Sequence, residues 1–143
     1  MPDLRRQIPT PELQRESLPL RFSFKHLDFS HERFPIGACN LAFMECLLKQ
    51  LRIFSTWPVE HFTDQNNRER RHIIDFDQTC ERNGFSNVDP DQLGAHESWQ
   101  FSVCPDDPEN CGRVHGILID DTFFVVWLDP LHRLFPQDRA RDC

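Results

Sequence analysis

Between Arg113 and Phe135 the chain runs Arg113-Val-His-Gly-Ile-Leu-Ile-Asp-Asp-Thr-Phe-Phe-Val-Val-Trp-Leu-Asp-Pro-Leu-His-Arg-Leu-Phe135. These are two apolar runs of strand length whose polar residues gather at Asp120-Asp121-Thr122 and at both ends. β-Branched and aromatic residues on either side of a short acidic turn predict a central β-hairpin. The hairpin ends deliver Arg113, His115, Asp129, His132 and Arg133 to a rim.

A chain of 143 residues with 38% hydrophobic and 11% aromatic content suits one domain with one core. Thirteen Phe, three Trp and no Tyr assign nearly all of the aromatic surface to that core, because Phe has no polar handle to keep at a wet surface. No apolar stretch approaches the roughly 18–20 residues that span a bilayer. Arg5 and Arg6 are followed by prolines and acids instead of an apolar segment, which does not read as a signal peptide. The expectation is a cytoplasmic protein without a membrane span, in which Cys39, Cys46, Cys80, Cys104, Cys111 and Cys143 are reduced thiols.

Charge is unevenly placed within the net −7. Residues 1–74 hold 11 basic and 9 acidic side chains, and residues 75–143 hold 5 and 14. An acidic second half repels phosphate backbones and attracts basic partners, so it favours a protein partner over non-specific nucleic-acid binding. Plain solubility is the competing reading.

Residues 1–19, with Pro2, Pro9, Pro11 and Pro19, read as an extended arm, 20–136 as a single α+β domain, and 137–143 as a C-terminal tail. Arg21–Leu27 alternates with period two, as a half-buried strand does. Asn40 is placed to cap a helix whose Leu41, Met44, Leu47, Leu48, Leu51 and Phe54 form one apolar stripe. A shorter helix restarts at Pro58 with Val59 and Phe62 facing inward, which predicts a helical hairpin. Residues 66–71 read as a solvated polar run, 72–77 as a short strand or irregular segment, and 78–97 as a long surface loop. Trp99–Val103 alternates again, an irregular acidic connection comes next, and the hairpin closes the domain. The predicted fold is an antiparallel sheet of about four strands with the N-terminal helical hairpin on one face and the other face freer.

Two constellations carry candidate chemistry. Arg113 and His115 share a strand face, and Asp129, His132 and Arg133 lie across the sheet from them. Such a cluster can cleave RNA by general acid–base chemistry, with His activating the 2′-hydroxyl and protonating the leaving oxygen while Arg steadies phosphate charge. The competing reading is structural: His132 caps a turn and Asp129 bonds nearby backbone amides. Cys104, Cys111 and His115, with His96 nearby, miss the usual spacing of zinc ligands. They read more ordinarily as small residues flanking a loop or as a cross-strand disulfide, and neither metal nor cofactor is expected. Cys80 or Ser102 as a nucleophile, and Arg68, Arg70 and Arg71 as phosphate contacts, are weaker signals.

The order of strand, helical hairpin and antiparallel meander, with the 113–119 and 123–129 strands and the His132-Arg-Leu-Phe135 tail, resembles the RelE/ParE superfamily of bacterial toxins. That resemblance implies cleavage of messenger RNA on the ribosome, with Arg113 stabilising phosphate, His132 as the acid–base group, His115 and Asp129 in support, and Phe135 stacking on a base. Arg133 and Lys25 would be further substrate contacts. It also implies an antitoxin partner. The chain departs from the family in its acidity, its long 72–97 segment, and a Phe where Tyr is common. The alternative is a non-enzymatic accessory protein on that scaffold, whose acidic face, with Asp106, Asp107 and Glu109, binds a basic protein or nucleoprotein complex. An exposed edge strand would make a homodimer plausible.

Overall fold

The computed structural model describes residues 18–64, 71–104 and 112–136. The 1–17 part of the arm, the 137–143 tail, Arg68, Arg70, Asp106, Asp107, Glu109 and Cys111 lie outside the described residues. In chain order the elements are β1 (Arg21–Ser23), α1 (Leu41–Phe54), α2 (Val59–Phe62), β2 (Arg71–Ile73), α3 (Pro90–Ala95), β3 (Glu97–Ser102), β4 (Arg113–Ile119) and β5 (Thr122–Asp129). The α+β class is as expected; the sheet is not. It has five strands in the order β1-β5-β4-β3-β2, and β1 runs parallel to β5, so it is mixed where a four-stranded antiparallel sheet was expected.

The hairpin forms around Asp120-Asp121, with Ile119 paired to Thr122. Asp120 takes φ 55°, a left-handed conformation that a short Asp side chain tolerates better than most residues. Arg21 closes the corner: its backbone N–H donates to Asp121 O at 2.8 Å, and its guanidinium pairs with the Asp121 carboxylate at 3.1 Å. These bonds dock β1 alongside the start of β5, where the intervening helices make a parallel return feasible.

Helix α1 begins as its sequence dictates, with Asn40 Oδ1 accepting from Phe43 N at 2.8 Å. Its buried stripe is Phe43, Leu47, Leu51 and Phe54. Each such side chain stabilises by about 1.5–3 kcal/mol on full burial. Ser55 and Thr56 hydroxyls then donate to Arg52 O and Ile53 O, competing with helix continuation. Beyond them the chain makes only a single turn, α2, in place of the second arm of a helical hairpin.

Both faces of the sheet are covered. On the first, α1 and α2 pack Phe43, Leu47, Leu51, Phe54 and Phe62 against Trp99, Phe101, Val114, Phe123, Val125 and Leu128. On the second, where an open surface was expected, Phe34, Ile74, Phe85, Val88 and Leu134 close over Ile117, Val126 and Trp127. This cover comes from irregular segments, and backbone bonds fasten it: Asp28 N donates to Val126 O, Ile74 N to Ser98 O, and Cys80 N to Leu134 O. The 78–97 stretch is part of this layer and contains α3, opened by Asp89 Oδ1 accepting from Asp91 N with Pro90 in the first turn. Arg71, read from sequence as part of a solvated run, is buried in β2; its Nε donates to Phe62 O at 2.9 Å and its guanidinium lies 4.9 Å from the Trp57 ring centre. Cys80 is disulfide-bonded, which corrects the expectation of reduced thiols at that position, whereas Cys39, Cys46 and Cys104 are free.

Candidate functional site: a buried His–Asp pair under a rim

The site depends on an irregularity in β5. Arg113 pairs with Asp129, Val114 with Leu128 and His115 with Trp127, but Gly116 pairs with Val125, leaving Val126 unopposed. One extra residue in β5 is a β-bulge, and it reverses the in/out alternation beyond it. Phe123 and Val125 belong to the helix-covered core, while Val126 and Trp127 both belong to the opposite one. Strict alternation would have turned Asp129 into the apolar packing beneath α1. The bulge turns it to the face that carries His115.

Gly116 makes the bulge possible. A Cβ there would stand 2.2 Å from Phe124 O and 2.4 Å from the Phe123 ring, inside any real contact distance.

His115 Nε2 and Asp129 Oδ2 are 3.0 Å apart, with side-chain exposures of 0% and 1%. The Asp129 carboxylate also accepts from Arg133 N at 2.7 and 2.9 Å and from Leu134 N at 3.1 Å. Burial by itself raises a carboxyl pKa, but here the hydrogen bond from His115, together with those from the two amides, outweighs it and holds Asp129 below its ordinary value. Burial dominates at His115 and pushes its pKa down despite the carboxylate. The pair is therefore a neutral imidazole donating from Nε2 to a carboxylate.

Asp129 thus organises the turn of the tail. His132 N donates to Asp129 O at 3.3 Å, and His132 adopts φ 55°, an uncommon conformation for a side chain of its size. Its ring is half-buried, and burial, reinforced by the Arg113 charge, pushes its pKa down while the Asp129 carboxylate opposes the shift. Arg113, His115, Asp129 and His132 are therefore assembled at one place, as their order along the hairpin suggests. Their exposure differs: His115 and Asp129 are sealed, whereas His132 and Arg113 are partly open and Arg133 is exposed.

The remaining expected site residues fare less uniformly. Phe135 is half-buried and packs against the second core, which is at odds with a ring held out for stacking. Lys25 is exposed in the turn after β1, where its backbone N–H donates to Ser23 Oγ. His115 is committed to Asp129, so it does not converge with Cys104 and His96 as zinc ligands would; among the described residues no group of three or more His, Cys, Asp or Glu is placed to hold a metal ion. Ser102 is buried, and Cys80, being disulfide-bonded, offers no thiolate.

Two neighbours escape sequence reasoning. Cys39 lies close enough to Asp129 that the carboxylate adds to the effect of burial in raising its thiol pKa, which makes it an inert thiol. His31 packs edge-on against Trp127 at 5.0 Å and tilted against Phe34 at 4.9 Å, accepts from Arg33 N at Nδ1, and pairs through Nε2 with Glu81 at 3.0 Å. Glu81 also accepts from Arg33 Nε at 2.9 Å. Both ring nitrogens of His31 are taken, so it acts as a latch between the segment after β1 and the segment after β2.

No family model, curated protein or solved structure matches this chain. Among the described residues, no helix is long and apolar enough to cross a membrane.

Proposed function

We propose that this chain is a RelE-like, RNA-cleaving protein in which His132 is the base and Arg113 holds the scissile phosphate. The feature that carries the reading is the half-buried His132 at the open edge of the His115–Asp129 pair, where burial and then the Arg113 charge push its pKa down. A neutral imidazole at physiological pH is able to take a proton from a ribose 2′-hydroxyl. The 2′-oxygen then attacks the adjacent phosphorus, the P–O5′ bond breaks, and the 5′-oxygen takes a proton from water. The products are a 2′,3′-cyclic phosphate and a 5′-hydroxyl end, and the step needs no metal. Arg113 neutralises charge on the phosphoryl oxygens, with exposed Arg133 as a second cation. His115 and Asp129, being sealed, act as positioning residues that fix the turn carrying His132.

The test is cleavage of free and ribosome-bound messenger RNA by purified protein, with product ends determined. His132→Ala is expected to abolish cleavage, and Arg113→Ala to reduce it by at least about 100-fold, the usual scale for an electrostatic stabiliser. The rate should fall on acidification with its inflection below the ordinary histidine value of about 6.5. Intact RNA in both settings would reject the reading.

A second reading is favoured by a different observation. The outer face of α1 leaves Leu41 and Leu48, one stripe seven residues apart, 88% and 63% exposed. Together with the acidic second half of the chain, this fits an accessory protein that keeps the scaffold and docks a basic protein or nucleoprotein complex. Reversing Asp106, Asp107 and Glu109 would then weaken capture of that complex and flatten its salt dependence.

A further inference from the structure

We propose that Gln100, His115 and Trp127 together hold one buried water molecule on the second face of the sheet. The register sets these three residues side by side on adjacent strands: Gln100 of β3 stands opposite His115 of β4, which stands opposite Trp127 of β5. Alternation turns all three away from the α1 side, where Trp99, Phe101 and Val114 lie. Each carries one fully buried polar atom without a hydrogen-bond partner among the described residues: Gln100 Oε1, His115 Nδ1 and Trp127 Nε1.

The protonation pattern is fixed by the site already described. Since Nε2 of neutral His115 donates to Asp129, Nδ1 presents a lone pair. Gln100 Oε1 is likewise an acceptor, and Trp127 Nε1 is a donor only. The row therefore calls for a guest that gives two hydrogens and accepts one, which is three of the four bonds of water and the usual valency of an internal water. Phe34, itself buried, stacks on Trp127 at 4.7 Å and packs at 5.8 Å from His115, giving the site an apolar cover. Such a water would satisfy the far side of the His115 ring and lock the tautomer on which the Asp129 bond depends.

Trp99 supplies an internal control. Its Nε1 is also buried and unpartnered, but it lies on the other face with Phe62 at 5.5 Å and has Ile73 and Gly116 as its register neighbours, a setting that stays dry.

The experiment is water-selective NOE and ROE spectroscopy on the full-length 15N-labelled protein, with indole signals assigned by triple resonance. The expected result is a cross-peak between the Trp127 indole proton and water, with opposite NOE and ROE signs marking a long-lived molecule, and none at Trp99. The His115 nitrogen shifts should report a protonated Nε2 and an unprotonated Nδ1. Ser98 and Ser102 share this face and their hydroxyls exchange with solvent, so the peak must persist in Ser98→Ala and Ser102→Ala. Its loss in either variant, its absence in the wild type, an equal peak at Trp99, or a through-bond coupling directly linking Trp127 Nε1 to His115 Nδ1 would each overturn the proposal.

Discussion

At His132 two demands conflict. The residue stands at φ 55°, where a non-glycine side chain costs roughly 1–2 kcal/mol, yet it has a ring that only a histidine supplies. His132→Gly should therefore leave thermal stability unchanged or raise it by about 1 kcal/mol in a denaturation experiment, while removing RNA cleavage. A large loss of stability would instead make the ring structural. Asp129 has the opposite profile. Replacing it by Ala strips the acceptor from His115 Nε2 and from the amides of Arg133 and Leu134, so urea titration should show a loss of about 3–5 kcal/mol. Part of this was legible in the sequence: a carboxylate just before Pro130, with backbone amides four and five residues on, invites an amide-capping role. His31 was not legible, because its partner Glu81 is fifty residues away and no local pattern announces the pair.

Among the elements, the bulge in β5 decides what the hairpin can present. Period-two alternation reads correctly through Val125 and then fails, because Val126 and Trp127 are both apolar and nothing in composition distinguishes a bulge from a slip in register. The signal available was Gly116, isolated within a strand pattern. Gly116→Ala should be among the most damaging single-methyl changes in the chain, since the new atom meets the Phe124 carbonyl; the check is soluble yield and Tm, and a Tm within a few degrees of the wild type would contradict the packing described. Helix α1 was readable from its cap and from Leu47, Leu51 and Phe54, although Phe43 is on the buried face and Leu41 and Leu48, expected there, are exposed. The parallel docking of β1 and the short α3 were not, since the first rests on a pairing across about one hundred residues and the second is a single capped turn shaped by its packing.

For the molecule as a whole, the sheet has two cores, and the titratable pair sits in the one roofed by loops. The folded-state pKa values of His115 and Asp129 both lie below their ordinary values, so the unfolded chain binds protons first as the pH falls. Stability is then fully present above the unfolded histidine value, near pH 6.5, and declines as pH drops below it, with Asp129 adding a second decline under about pH 4. A urea midpoint measured from pH 8 to about pH 2 should be flat at first and then fall, and Asp129→Asn should lose the part of that fall below about pH 4. A midpoint that rises on acidification would contradict a neutral buried His115. The sequence conveyed the asymmetry of charge, but not that irregular segments would cover the second face, because loop cover has no period.

Cleavage of RNA by His132 and Arg113, held at the edge of the His115–Asp129 node, is tested most directly by mapping RNA 5′ ends in bacteria producing the wild-type chain or His132→Gly at matched soluble levels. New 5′-hydroxyl ends and arrested translation with the wild type alone are the expected result. Identical end maps and normal growth in both would contradict that role and leave the accessory, partner-binding role as the reading that fits the fold.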